Sequence, residues 1–294
     1  MSYALYNYAL LSPSAPPTYD NLRLIRKLHG GQSEAGFILV HVAMVAHTPG
    51  MVKAVLDCLS SAENDDVMGV RNSLDALLTS LVAINDVMET MWTRSAPSDY
   101  LKLRTFIMGV KDQSMFPNGV VYEGVDDVGG DVTPRYYRGE SGANDSIIPT
   151  CDSLLQLAFP DNPLTDILKD FRSYRPVNHT AFIGHVQQRA DAIGFRSFAS
   201  RDAPTAVRYL AVLDRVREFR QRHWGFTKEY IIKRTRHPVA TGGSPITTWL
   251  PNQLAAVLQA MEEVDGGVRE KVGKGEVLGK KEQEVRGKER KGLR

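Results

Sequence analysis

From Pro204 to about Arg236, apolar side chains recur at three- and four-residue steps: Tyr209, Val212, Leu213, Val216, Phe219, Phe226 and Tyr230. That spacing is the period of an α-helix, and a stripe so continuous has to be buried against other elements. His223 falls four residues after Phe219 and shares the stripe, although the helix around it is strongly basic. An imidazole facing inward is either a core residue satisfied by a carbonyl or water, or a ligand for a metal.

The helical period returns along most of the chain, and no alternating strand pattern persists for more than a few residues, so the expected class is all-α. Ser33 is placed to cap a helix through about Thr48 that Pro49-Gly50 stops, with a second helix from Met51 to Leu59. A long amphipathic pattern spans Asp66 to Trp92, and further helices are read from Ser98 to about Met108, Ser146 to Ala158, Pro163 to Tyr174, Thr180 to Ile193 and Pro251 to Met261. Between Lys111 and Asp145 lies a glycine-rich stretch with Pro117 and Pro134, too long for an idle connection. Residues 1–32 read as a proline-rich linker with a short helix from Tyr19 to Leu28, residues 33–262 as one large helical domain, and residues 263–294 as a charged, glycine-punctuated, disordered tail.

Composition narrows the function. With 294 residues and 43% hydrophobic content, the chain buries a full core without a disulfide or metal staple. The two cysteines, Cys58 and Cys151, argue against a disulfide framework and for a reducing compartment, the cytoplasm by default. A net charge of +2 with no aromatic-basic motif gives no support to nucleic-acid binding. The longest apolar run, Phe37 to Ala46, covers about half of the ~20 residues that a membrane helix needs, and Met1 to Leu11 lacks signal-peptide character. A soluble protein, a monomer making no membrane contact, is expected.

His41 shares a helix face with Phe37, whereas His47 falls on another, because six residues turn a helix by about 240°. No HExxH, cysteine-histidine zinc spacing, His-carboxylate cluster, G-x-S-x-G or phosphate loop is present. Haem iron, by contrast, needs only one axial histidine from the polypeptide.

Seven segments carry a specific resemblance: Gly36 to His41 (GFILVH), Leu103 to Gly109 (LRTFIMG), Asn118 to Gly124 (NGVVYEG), Arg138 to Ser146 (RGESGANDS), Phe171 to Pro176 (FRSYRP), Phe219 to His223 (FRQRH) and Thr241 to Gly243 (TGG). In order and spacing, over about residues 5 to 262, the chain resembles the indoleamine 2,3-dioxygenase family, in a fungal-type form without most of the small N-terminal domain. The resemblance implies an all-α, haem-binding catalytic domain over residues 33–262 that binds one haem b. It would insert both atoms of dioxygen into the indole ring of L-tryptophan, giving N-formylkynurenine, the first step of the kynurenine pathway towards NAD. An electron donor would keep the iron ferrous.

The same resemblance assigns roles. His223 is the proximal iron ligand, and Arg220, one turn earlier, meets a haem propionate. Arg104 pairs with the tryptophan carboxylate, a task suited to a planar fork of donors. Phe37 packs the indole, and His41, where many animal members carry serine, hydrogen-bonds the indole nitrogen or bound dioxygen, proton abstraction being the second possibility. Ser141, Gly142 and Ala143 line the haem edge, Ala143 also touching substrate, while Thr241 and Gly242 belong to a loop that closes over the ligand. Asp99 stands where the family often has an aromatic, with Tyr100 beside it as a substitute. Because relatives begin with a further helical domain, a shortened gene product is expected, and two other functions stay open: a haem-binding or sensing remnant without turnover, and a helical scaffold binding no cofactor.

Overall fold

The computed structural model describes residues 4, 6–124, 132–140, 142, 145–159, 166, 170–236, 239–244 and 246–272, the side chains of 248–250 and 268–272 excepted. The expected all-α class is what it shows. The helices are α1 (Gln32–Val45), α2 (Thr48–Glu63), α3 (Val67–Glu89), α4 (Met91–Arg94), α5 (Pro97–Ile107), α6 (Ile147–Leu154), α7 (Val177–Ile193), α8 (Phe195–Ala199), α9 (Ala203–Thr227) and α10 (Ile246–Val272).

Helix α3 illustrates why these segments are helical. Asp66 caps it by accepting the Gly69 N–H at 2.8 Å, and Val70, Leu74, Leu77, Leu81 and Ile84 lie fully buried on one face. Each such aliphatic side chain contributes about 2 kcal/mol by leaving water. That face packs against α2 and α9, which in turn packs against α10. Helix α9 begins in the same way, Asp202 accepting the Thr205 N–H at 3.0 Å with a proline in the first turn. The segments 32–63 and 67–94 have the length and apolarity of membrane spans. Here those apolar faces form core: Met51, Val55, Cys58 and Leu59 of α2 are completely buried.

Close backbone approach fixes the seat of α1. A Cβ added to Gly36 would lie 1.9 Å from the Arg94 carbonyl oxygen, so α4 rests directly on the α1 backbone. A second such crossing joins Gly109 and Gly139, and a Cβ on Gly139 would lie 2.3 Å from the Thr241 carbonyl oxygen.

Several boundaries differ from the sequence expectations. Residues 19–28 do not form a helix: a 3-10 turn (Tyr19–Asn21) leads into β2 (Leu22–Leu24), which pairs antiparallel with β1 (Tyr8–Leu10). Leu22 and Leu24 are thereby buried beside Ile38, Leu39 and Val42 of α1, an alternation too short to be recognised from the sequence. Ser33 does not cap α1. Its hydroxyl accepts the Ala96 N–H and donates to Asp99, so it organises the start of α5, 63 residues away. The helix expected to run to Thr48 and stop at Pro49-Gly50 already ends at Val45, and Pro49 lies in the first turn of α2. The last helix extends to Val272, with Val264 and Asp265 buried, so the expected tail boundary at 263 moves outward. The rest of that tail and half of the helix expected at Pro163–Tyr174 lie outside the described residues.

Candidate functional site

A cavity of about 820 Å³ lies between α1, α5, α6, α7 and α9, near the upper end of the range for ligand sites. Helix α1 contributes Phe37, Val40, His41 and Met44, the third- and fourth-step residues of the face away from its buried Ile38-Leu39 side. Helix α9 contributes Phe219, Arg220, His223, Phe226 and Thr227. After Thr227 the helix loosens into a π-helical turn, Lys228–Ile232, which brings Tyr230 and Ile231 onto the same wall. Such turns are frequent at functional sites.

His223 is half-buried on this wall, with neither ring nitrogen hydrogen-bonded among the described residues. Burial, and then the neighbouring Arg220 cation, push its pKa down to about 4, so the ring is neutral at pH 7 with a lone pair available. Among the described residues no three or more His, Cys, Asp or Glu side chains gather to hold a metal ion. A metal bound here would receive one imidazole from the chain and its remaining ligands from elsewhere.

Arg220 is buried and points its Nη2 at both Asp152 oxygens (2.9 and 2.7 Å) and at Gln253 Oε1 (3.3 Å). Its Nη1 is buried without a hydrogen-bond partner. A planar donor fork with one unsatisfied nitrogen suits an incoming carboxylate. On the other side His41 Nε2 stands 2.9 Å from Asp145 Oδ2. Burial alone would raise the Asp145 pKa, but the His41 and Ile147 hydrogen bonds and the Arg175 charge hold it below the usual carboxylate range.

An aromatic group roofs the apolar part. The Phe37 and Tyr100 rings sit 4.9 Å apart, and Tyr100 meets Tyr230 edge-on at 5.6 Å. Tyr100, not Asp99, faces the cavity; Asp99 is engaged by Ser33 and Lys102.

Of the residues singled out from the sequence, Phe37, His41, Gly142, Arg220, His223 and Thr241 meet on this one cavity. Ser141 and Ala143 lie outside the described residues. Two are not brought to the wall. Arg104 is buried with its Nη2 donating to the Val239 carbonyl and its Nε unpartnered. Gly242 is turned away, its carbonyl accepting from Arg138 Nη1 at 2.8 Å. Around it the 239–243 segment is held by Gly109 N–H to the Thr241 carbonyl (3.0 Å), Thr241 Oγ1 to the Glu140 carbonyl (2.6 Å) and Gln113 to the Ala240 carbonyl (3.0 Å). Sequence reasoning gave no role to Asp145, Asp152 or Arg138, because their partners lie 104, 68 and 32 residues away.

Fold and site together define a class: a helical protein whose central cavity offers one neutral imidazole, a neighbouring arginine and an aromatic roof. The chain matches the family model described as indoleamine 2,3-dioxygenase over residues 1–285, and it belongs to that family. Among curated relatives it is similar to indoleamine 2,3-dioxygenase 1 of Mus musculus, 30% identical over 190 residues, 62% of this chain and 45% of the relative. It is also similar to indoleamine 2,3-dioxygenase 2 of Mus musculus, 28% identical over 82% of this chain and 59% of the relative. A fungal relative, indoleamine 2,3-dioxygenase nanC of Aspergillus nanangensis, is 24% identical over 72% of this chain and 53% of its own length. The chain spans about half the length of the curated relatives it matches.

Proposed function

We propose that the chain binds one haem b on His223 and, with it, converts L-tryptophan and related indoleamines with dioxygen to N-formylkynurenine, opening the kynurenine route towards NAD. The observation that carries this reading is the neutral, unpartnered His223 imidazole on the cavity wall, one helical turn from an arginine with an unsatisfied nitrogen, in a chain of this family. Those residues fit the group: His223 would supply a nitrogen to hold the iron and Arg220 a cation for a propionate. When bound, haem iron supplies the activation of dioxygen.

The chain's own side chains do the rest. Phe37 and Tyr100 form an apolar slot that excludes water and orients a flat ring. His41 offers a ring nitrogen to the indole N–H. Thr241 and Ala240 close one side of the cavity, held by the backbone crossings of residues 109 and 139. Arg104 would meet the substrate carboxylate with a guanidinium whose Nη2 donates to the Val239 carbonyl, which would couple carboxylate binding to the 239–243 segment. An external reductant would be needed to keep a bound iron ferrous.

The position of Arg104 also favours a second reading, a haem-binding or sensing protein without turnover, since that guanidinium is engaged away from the cavity wall. One experiment separates the two. The purified full chain is supplied with haem and a reductant, and L-tryptophan and oxygen are added while the formylated product is followed by absorbance. Product formation supports the dioxygenase; stoichiometric haem with no product supports the second reading; failure to take up haem refutes both.

A further inference from the structure

The His41–Asp145 pair joins the middle of α1 to the entry of α6 across 104 residues, and both side chains line the cavity. Asp145 already accepts one hydrogen bond from the chain at each carboxylate oxygen. Its Oδ2 receives His41 Nε2 at 2.9 Å, and its Oδ1 receives the Ile147 N–H at 2.7 Å, the first residue of α6. The side chain is 15% exposed and ionised, with Arg175 as a further nearby positive charge. An ionised carboxylate only accepts hydrogen bonds, so a neutral imidazole beside it must carry its proton on the nitrogen that faces it. The other nitrogen, Nδ1, has no hydrogen-bond partner among the described residues.

We propose that Asp145 is a positioning residue: clamped by the Ile147 amide, it holds the His41 ring as an Nε2–H donor and leaves Nδ1 as the bare acceptor for an N–H of the bound ligand. That the ligand is an indole rests on the proposed function; the orientation and tautomer of the ring do not. The logic is that of a carboxylate that fixes an imidazole in its working tautomer without exchanging a proton with substrate. It also explains how histidine can occupy a cavity face without donating uncontrolled polarity. The donor is consumed internally, and one acceptor with a fixed direction remains. A ligand ring bearing an N–H is matched, whereas a ring of the same shape with oxygen, sulfur or N-methyl at that position leaves Nδ1 buried and unsatisfied.

The test reads the ring directly. The full chain without added haem is labelled with 15N at the histidine rings, His41 is assigned by the signal lost in H41Q, and nitrogen shifts are recorded at about pH 9, above the range in which histidine ordinarily loses its charge. His41 is expected in the Nε2–H form with the other tautomer at about a tenth or less, as a hydrogen bond to a charged acceptor requires. In D145A the share of the other tautomer rises severalfold, towards that of a free histidine side chain, which itself favours Nε2–H. A wild-type ring found as Nδ1–H, as an even mixture or still as imidazolium overturns the proposal, whether or not D145A folds, and so does an unchanged ring in D145A. A second arm titrates the haem-supplied chain with L-tryptophan and 1-methyl-tryptophan. Tryptophan binding should weaken about tenfold in H41A, and the D145A/H41A double variant should bind as H41A does, because Asp145 acts only through His41. Additive losses overturn the positioning role. If wild-type His41 shows the Nε2–H form while no tryptophan binds, the indole reading fails and the positioning stands.

Discussion

Removing one member of the Arg220–Asp152 pair should have unequal consequences depending on which member is removed. Asp152→Ala strands a guanidinium that is 7% exposed and that no accessible pH can neutralise. Breaking a buried pair from that side costs about 3 kcal/mol, the lower end of the usual range because Gln253 still accepts one bond. Arg220→Met leaves a carboxyl that burial already pushes above its usual value, against the pull of Arg220 and Arg175. That carboxyl can take a proton. A group whose folded pKa lies above its unfolded one carries no penalty below the unfolded value, about pH 4 for aspartate, and loses stability as pH rises through the folded value, by at most about 1.4 kcal/mol per pH unit. Near pH 4 the Arg220→Met variant should therefore lose only about 1 kcal/mol, the worth of the broken hydrogen bonds. Its deficit then grows towards neutrality, while the Asp152→Ala deficit stays level over the same window. Urea unfolding of the full chain without added haem, followed by circular dichroism at several pH values, measures both. Equal and pH-independent losses in the two variants would refute the argument, since they would mean that Asp152 stays ionised without its cation.

His223→Ala should abolish the Soret band of the haem-supplied protein, and stoichiometric haem with a normal spectrum in that variant would remove the axial assignment. Gly36→Ala places a methyl 1.9 Å from the Arg94 carbonyl oxygen, backbone against backbone, and should destabilise by about 2–3 kcal/mol in urea unfolding; a loss below ~0.5 kcal/mol would show that α1 and α4 do not touch there. Cys58 and Cys151 are completely buried, with burial first and then neighbouring acidic charges raising both thiol pKa values, so neither should react with a thiol reagent until the chain unfolds. Arg138→Ala removes ion pairs to Asp170 and Asp112 and the bond to the Gly242 carbonyl, and should speed hydrogen exchange at the Gly243 amide by at least about tenfold; unchanged exchange there would mean that this arginine does not hold the loop.

Relations confined to one helix were readable in advance. The three- and four-residue steps that put Phe219, Arg220 and His223 on one cavity wall, and Phe37 and His41 on another, follow from the helix repeat alone. The order of the seven matching segments likewise anticipated the family to which the chain belongs. Asn21, Ser33 and Glu34 show the opposite case. Asn21 gathers the Ser12, Ala15 and Pro16 carbonyls, Ser33 starts a helix 63 residues on, and Glu34 receives the Leu28, His29 and Gly30 amides, none of which is a periodic signal.

From its residues alone the chain determines that it is helical, where its apolar stripes run, and that an imidazole and an arginine stand one turn apart on one of them. Only the tertiary structure decides that Asp152 meets Arg220, that Asp145 meets His41, and that Arg104 turns to the Val239 carbonyl instead of the cavity. The physical reason is that a helix sets its own angular spacing through local hydrogen bonds, whereas a buried charge takes its partner from whatever packing brings within about 3 Å.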